Sequence, residues 1–194
     1  MLIRKIKIKN LLSFNNDGID LELKNLNVLI GSNRCGKSNF IEVISLFQSV
    51  PGYVAFPVKE SGGICVWLHQ GTQNPIANIE VLLDIENTKY SIPIKHSLSF
   101  REVGNKFDLQ DEKIEDSKSY YKQSKEPYFY YRFQNNHPAL NIKGEKRTLQ
   151  RIDIDPEQSI LSQRKDPDQY PDANKVKNHG KYSKEFFEYL NKIL

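Results

Sequence analysis

At 194 residues, 38% of them hydrophobic and 27% charged, the chain has the size and composition of one globular domain with a real core. No apolar run approaches the ~20 residues that span a bilayer, and Met1-Leu2-Ile3-Arg4-Lys5 passes straight into alternating Ile and Lys, which excludes the apolar block of a signal peptide. A formal charge of +4 is weak grounds for a nucleic-acid surface, and two cysteines, Cys35 and Cys65, are too few for a disulfide framework and suit a reducing cytoplasm.

Ile3, Ile6 and Ile8 alternate with Lys5, Lys7 and Lys9, the period of a half-buried strand. Asn15-Asn16-Asp17-Gly18 then reads as a hairpin turn, because Asp-Gly tolerates positive φ, and Ile19-Asp20-Leu21-Glu22-Leu23 gives the returning strand. The apolar run Leu26-Asn27-Val28-Leu29-Ile30 predicts a short buried strand. It leads directly into Gly31-Ser32-Asn33-Arg34-Cys35-Gly36-Lys37-Ser38. Behind that loop, Phe40, Ile41, Val43, Ile44 and Phe47 recur at helical spacing until Pro51-Gly52.

From Gly62 onward the pattern is a meander of short β-favouring runs, at 64–68, 76–85, 90–100, 106–109 and 128–133, separated by Gly and Asn turns. The stretch 111–125 is charged and polar and predicts a solvated loop. The tail from Asn174 is rich in Lys and Asn. It ends in an apolar stripe, Phe186, Phe187, Leu190, Ile193 and Leu194, which predicts a helix docking on the sheet, with a dimerisation helix as the rival. The expected organisation is therefore a lobe over 1–172, with a β-hairpin subdomain at about 62–150, and a tail over 173–194.

The segment 31–38 fits G-x-x-x-x-G-K-[ST]. Gly31 and Gly36 let the backbone curl until successive N–H groups face phosphate oxygens, and the helix beginning near Lys37 adds its positive dipole end. Lys37 is placed to reach the β- and γ-phosphates, and the Ser38 hydroxyl to ligate Mg²⁺. At typical residue frequencies, the pattern is expected by chance in a chain of this length fewer than roughly 0.01 times. A nucleotide kinase needs βαβ crossovers after the loop and an arginine-bearing lid, whereas β-hairpins follow here. A Ras-type GTPase needs N-K-x-D, which this sequence does not contain.

Two segments carry a closer resemblance. Ile6-Lys7-Ile8-Lys9-Asn10-Leu11-Leu12-Ser13-Phe14 resembles the first strand of SMC, RecF and related ATPases, commonly I-x-N-F-x-S-F. Leu26 to Asn39 resembles their N-x-L-I-G-x-N-x-x-G-K-S-N segment, with Asn33 and Asn39 narrowing the match. Gly62-Gly63-Ile64, Trp67-Leu68-His69-Gln70-Gly71 and Ser159-Ile160-Leu161-Ser162-Gln163 are similar to RecF-like members of the AAA-family ATPases. The resemblance covers roughly residues 1–172.

It implies the N-terminal lobe of an ABC-type P-loop NTPase: an α/β fold with a mixed sheet and an antiparallel β-subdomain. It implies ATP and Mg²⁺ as cofactors, held by Gly31, Ser32, Asn33, Arg34, Cys35, Gly36, Lys37, Ser38 and Asn39. Lys37 takes the catalytic role, and Ser38 and Gln163 serve the metal. Gln163 is the candidate for the family's Mg²⁺- and γ-phosphate-sensing glutamine, with Gln158 the alternate and an exposed loop glutamine the plain reading. It also implies a head-to-head homodimer or a second ATPase lobe as partner, DNA as a further one, no membrane partner, and work in DNA repair or phage defence.

Departures from that family pattern are as informative. No serine- and glycine-bearing signature loop, hhhhDE strand or switch histidine is recognisable. Val81-Leu82-Leu83-Asp84-Ile85-Glu86 imitates the hhhhDE strand, but it follows the loop too closely and Ile85 splits its acids, so Asp84 is read as a strand-end residue. The chain accordingly reads as a lobe without its water-activating carboxylate, a fragment or truncated product. A nucleotide-binding module without turnover and an interaction protein with an empty loop both stay open. Leu12 stands where many relatives place a phosphate-contacting base, and Arg34 where Gly or Asn is frequent. Arg34 faces the phosphates, a partner or solvent. The four histidines, His69, His96, His137 and His179, are too scattered for a zinc site. Tyr128-Phe129-Tyr130-Tyr131-Arg132-Phe133 reads as a strand with core aromatics, with stacking on single-stranded nucleic acid as the rival.

Overall fold

A computed structural model describes residues 3–50, 52–84, 92–119, 127–134, 137–142, 145–148 and 155–163. Eight strands form one sheet: β1 (Ile3–Lys9), β2 (Ile19–Glu22), β3 (Ala77–Leu83), β4 (Ile94–Val103), β5 (Lys106–Asp116), β6 (Phe129–Gln134), β7 (His137–Ile142) and β8 (Glu145–Thr148). They lie in the order β2-β1-β3-β4-β5-β6-β7-β8. Every pairing among them is antiparallel. The helices are α1 (Lys37–Gln48), α2 (Phe56–Glu60), α3 (Ile64–Trp67) and α4 (Ile160–Gln163).

The alternation in β1 does what its pattern requires. Ile3, Ile6 and Ile8 are buried, with a register irregularity between Ile3 and Lys5 restoring the phase. Lys5 and Lys7 point to the outer face, where they pair with Asp20 and Glu80. Gly18 turns the first hairpin at φ 68, and a Cβ there would lie 2.1 Å from the Ile8 carbonyl oxygen, so the turn excludes any side chain. The inner face continues through Ala77, Ile79, Val81 and Leu83 of β3 and Ile94, His96, Leu98 and Phe100 of β4. One cluster joins the apolar members of this face to Phe40, Val43, Leu46 and Phe47 of α1 and to Val58, Ile64 and Trp67 of the short helices.

In β5, Phe100 pairs with Leu109 but Ser99 pairs with Asp111, so Gln110 is a bulge. The extra residue shifts the phase of everything after it. Leu109 stays inside, and Glu112 and Ile114 become the next inward residues, both buried.

The α/β class holds, and four finer expectations need correction. The run 26–30 pairs with no strand among the described residues. Its side chains are open to water, with Leu26 81%, Val28 72% and Ile30 89% exposed, because an apolar run becomes a buried strand only where neighbours flank it. The sheet therefore shows no parallel pairing among the described residues, and its mixed character does not emerge there. Residues 64–67 form α3 rather than a strand, an ambiguity that a four-residue apolar run cannot resolve by periodicity. Residues 111–116 extend β5 instead of opening a loop, since their charges find cross-strand partners: Glu115 lies 2.6 Å from Lys95 and 3.3 Å from Arg132. Burial works against ionisation of Glu115, but those two cations hold its carboxyl below the usual range. In β6, Tyr131 and Phe133 are buried and Phe129 and Tyr130, like the preceding Tyr128, half-buried, which fits the core reading of that aromatic run. The expected tail helix and the 173–194 boundary lie outside the described residues.

Candidate functional site

The phosphate-type loop joins the exposed run 26–30 to α1. Residues 31–35 and Ser38 are exposed, while Gly36, Lys37 and Asn39 are half-buried. Cys35 N–H bonds the Ser32 carbonyl at 3.4 Å, closing the turn through Asn33 and Arg34, and Arg34 sits in the left-handed region at φ 67. Gly36 is the N-cap of α1 at φ 93, and no side chain caps the helix. The first-turn N–H groups of a 12-residue helix, with their positive dipole end, are thus left for an anion.

Lys37 folds back over this loop. Its ammonium donates to the Gly31 carbonyl at 2.8 Å and the Ser32 carbonyl at 2.7 Å, and lies 3.4 Å from Cys35 Sγ. The cation therefore points into the hollow of the loop rather than away from it. Gly36 is required by its backbone conformation, and both glycines have the end of a side chain close by. A Cβ on Gly31 would meet Cys35 Sγ at 2.6 Å, and one on Gly36 would meet Ser13 Oγ at 2.8 Å, in a backbone conformation that L side chains rarely adopt.

The contact with Ser13 shows what supports the loop. Residues 10–14 form a second tight turn beneath it: Leu11 N–H bonds the Phe14 carbonyl at 2.9 Å, and the Leu12 carbonyl lies 3.0 Å from His69 Nδ1. Asn10 and Leu12 take the left-handed conformation at φ 53 and 51. The sequence signals this turn only through its likeness to the first-strand motif, and Ser13 as a neighbour of Gly36 has no signal of its own.

The residues fit a nucleoside phosphate with Mg²⁺. An uncapped helix N-terminus, an inward ammonium and an exposed serine hydroxyl at Ser38 are the donor set such a ligand needs. A family model described as an AAA ATPase domain matches residues 1–193. The chain belongs to the AAA ATPase domain family. This is the membership that the opening fifty residues imply. No curated protein matches the sequence. A solved structure from work on ATP-driven dimerization and DNA-stimulated activation of SMC ATPases is similar at 14% identity, covering 54% of this chain and 70% of that chain, with a TM-score of 0.38.

In this AAA ATPase domain, Gln163 lies in a turn of its own. Its amide accepts from Asp155 N–H at 2.8 Å and donates to the Asp155 carbonyl at 3.1 Å and the Gln158 carbonyl at 2.8 Å. Gln158 donates to Asp155 Oδ2 at 2.8 Å. Both glutamines are engaged locally, and no hydrogen bond joins either to residues 31–39 among the described residues. Asp84 follows β3 and pairs with Arg4, as a strand-end residue does. Among the described residues no three His, Cys, Asp or Glu side chains gather as a metal site, and no helix is long and apolar enough to cross a membrane.

The turn at 155–163 is fastened at its surface by Glu157. Lys59 Nζ lies 2.6 Å from Glu157 Oε2, Tyr53 donates its hydroxyl to the same carboxylate, and Lys59 stands 4.8 Å from the Tyr53 ring centre. Hydrogen bonds from Lys59 and Tyr53 hold Glu157 below its ordinary value of 4.5, while the bonds to Glu157 and Tyr53 raise Lys59 to about 12. A depressed carboxyl stabilises the fold above its unfolded value and ceases to do so as pH falls through its folded value. The raised lysine acts below 10.5 and is lost toward 12. Acidification below the carboxylate range is therefore expected to raise amide exchange at 155–158 ahead of the sheet, and Glu157→Gln to remove that acid step.

Cys35 gives a direct probe of the loop. Both cysteines are free and exposed. Mg-ATP is expected to slow alkylation of Cys35 by iodoacetamide while leaving Cys65 unchanged, read by mass spectrometry. Equal slowing at both thiols would point to a global effect, and none at Cys35 would place the nucleotide elsewhere.

Proposed function

We propose that this chain binds Mg-ATP at residues 31–39 and is the nucleotide-holding lobe of an ATPase that hydrolyses it once completed. The inward ammonium of Lys37, beside the uncapped start of α1, carries this reading. Binding would exchange two neutral carbonyl partners of Lys37 for anionic phosphate oxygens, which adds charge pairing to the hydrogen bond. Loop amides and Lys37 would hold the phosphates and steady charge on the transferred group, and the Ser38 hydroxyl would orient the metal. Gln163 serves the metal in this reading only after its Oε1 leaves the Asp155 N–H.

A second lobe belongs to the same reading. The run 26–30, continuous with the loop, exposes Leu26, Val28, Leu29 and Ile30, and the next helix exposes Ile41 at 42%. Apolar residues in a row at the base of a nucleotide loop are the surface a completing strand would cover. A lobe that pairs there would also bring a water-activating carboxylate, for which Asp84, tied to Arg4, is not placed. Head-to-head dimerisation, a DNA partner and service in DNA repair or phage defence come with the RecF/SMC resemblance, and a cytoplasmic setting with the sparse cysteines. Of the outer-face bases, Lys5, Lys7 and Lys95 are each ion-paired, which lessens what they offer DNA. The alternative is a nucleotide-binding module that never turns over.

Calorimetric titration with Mg-ATP tests the binding reading; absence of saturable heat would end it. Phosphate release separates the two forms. The chain alone is expected to bind without turnover, so rapid unaided hydrolysis would remove the need for a second lobe.

A further inference from the structure

Glu112 is the least expected residue in the core. It is 1% exposed, yet its carboxylate is fully engaged. Ser159 donates its hydroxyl to Oε1 at 2.5 Å, His96 Nε2 lies 2.9 Å from the same oxygen, and Ile160 N–H donates to Oε2 at 2.9 Å. Ser159 Oγ in turn accepts from Leu161 N–H at 3.1 Å. His96 and Ser159 are themselves wholly buried. On its other side the His96 ring meets Phe47 edge to face, with centroids 5.2 Å apart at 66°. Phe47 is on the last turn of α1, the helix whose first residue is Lys37.

A buried carboxylate contributes little net stability compared with a well-packed apolar side chain of the same size. What it adds is direction: each hydrogen bond fixes an angle as well as a distance, whereas apolar contacts slide. Here those directions converge from three elements, β4, β5 and the 155–163 turn, on the side of the sheet that carries the far end of α1. The helix is a stiff rod of about 18 Å. A shift at its first turn would be carried to Phe47 at its last. The surface clasp through Glu157 is solvent-exposed and screened by salt, so the interior contact is the firmer hold on the turn.

We propose that Glu112, with His96 and Ser159, is a positioning cluster that passes the setting of the nucleotide-loop helix, through Phe47, to the 155–163 turn bearing Gln163. This rests on the Mg-ATP reading above. Glu112 touches neither nucleotide nor metal and acts only through the turn it holds. Phe47 is the contact through which α1 enters the cluster. The cluster thus gives the antiparallel sheet a part in reading the nucleotide, at residues far along the chain from the loop itself.

Hydrogen–deuterium exchange at 155–163, with and without Mg-ATP, tests it in the wild type, Glu112→Gln and Phe47→Leu, each first titrated with Mg-ATP. In the wild type, the nucleotide is expected to change exchange at Ile160 and Leu161 by about threefold or more. Both variants are expected to bind Mg-ATP within about threefold of the wild type and to lose that change. Phe47→Leu leaves every hydrogen bond of the cluster in place, so it decides the matter even if Glu112→Gln fails to fold. A merely structural cluster would raise exchange in the variants with and without nucleotide alike and preserve the ratio, which overturns the proposal. A wild type that binds Mg-ATP with no change at 155–163 overturns it equally. A wild type that does not bind Mg-ATP defeats the nucleotide reading first, and the coupling falls with it.

Discussion

Lys37→Ala is expected to weaken Mg-ATP binding by about 10- to 150-fold, the value of one hydrogen bond to a charged group at ~1.5–3 kcal/mol. The residue has no comparable part in the fold. Among the described residues its ammonium reaches only the Gly31 and Ser32 carbonyls and the Cys35 sulfur, all on an exposed loop. Thermal unfolding of the apo variant should therefore match the wild type while the calorimetric isotherm collapses. Lys37→Arg should recover only part of the affinity, because a planar guanidinium does not fit where an ammonium donates to two carbonyls of one tight turn. Full affinity in Lys37→Ala would mean that the phosphates lie elsewhere.

Phe100→Ala is expected to cost about 3–5 kcal/mol of folding stability, a large share of what holds a single domain folded. Phe100 is fully buried at the centre of β4 and packs on Phe107 with ring centres 4.7 Å apart. Its backbone pairs with Leu109 at the edge of the β5 bulge, so the ring also fills the space where the strand bends. Removing it leaves a cavity against backbone that cannot close without moving the bulge. In urea, the midpoint should fall with an unchanged slope, and Tm should drop by roughly 6–20 °C for a domain of this size. A loss under about 1 kcal/mol would show that the sheet repacks there freely.

The phosphate-type pattern at 31–38 is legible because its chemistry is local: glycine freedom, one lysine and a helix start all lie within one turn of chain. Strand β1 was legible because Ile3, Ile6 and Ile8 form a simple alternation with lysines that find acids across the sheet. The run 26–30 misled because hydrophobicity states what a segment prefers, while burial depends on which strands come beside it. Glu112 was hidden for the opposite reason. Charge on either side of it made 111–116 look solvated. Nothing local discloses that the bulge at Gln110 has turned this acid inward, toward donors 47 and 48 residues away. Resemblance alone points to Gln163 and Gln158, and the structure gives them a local role at Asp155 that no motif encodes.

The bulge at Gln110 has a consequence for how the chain tolerates change. Deleting Gln110 alone would set Asp111 directly after Leu109, still opposite Ser99, so every later pair would keep its partner and the strand would merely straighten. Deleting Asp111 as well would bring Glu112 opposite Ser99 and Lys113 opposite Leu98, sending a lysine into the interior and turning Glu112 and Ile114 out to water. The strand thus carries one spare residue at that point: a single loss is silent in the ladder, and a second inverts an arm of the sheet.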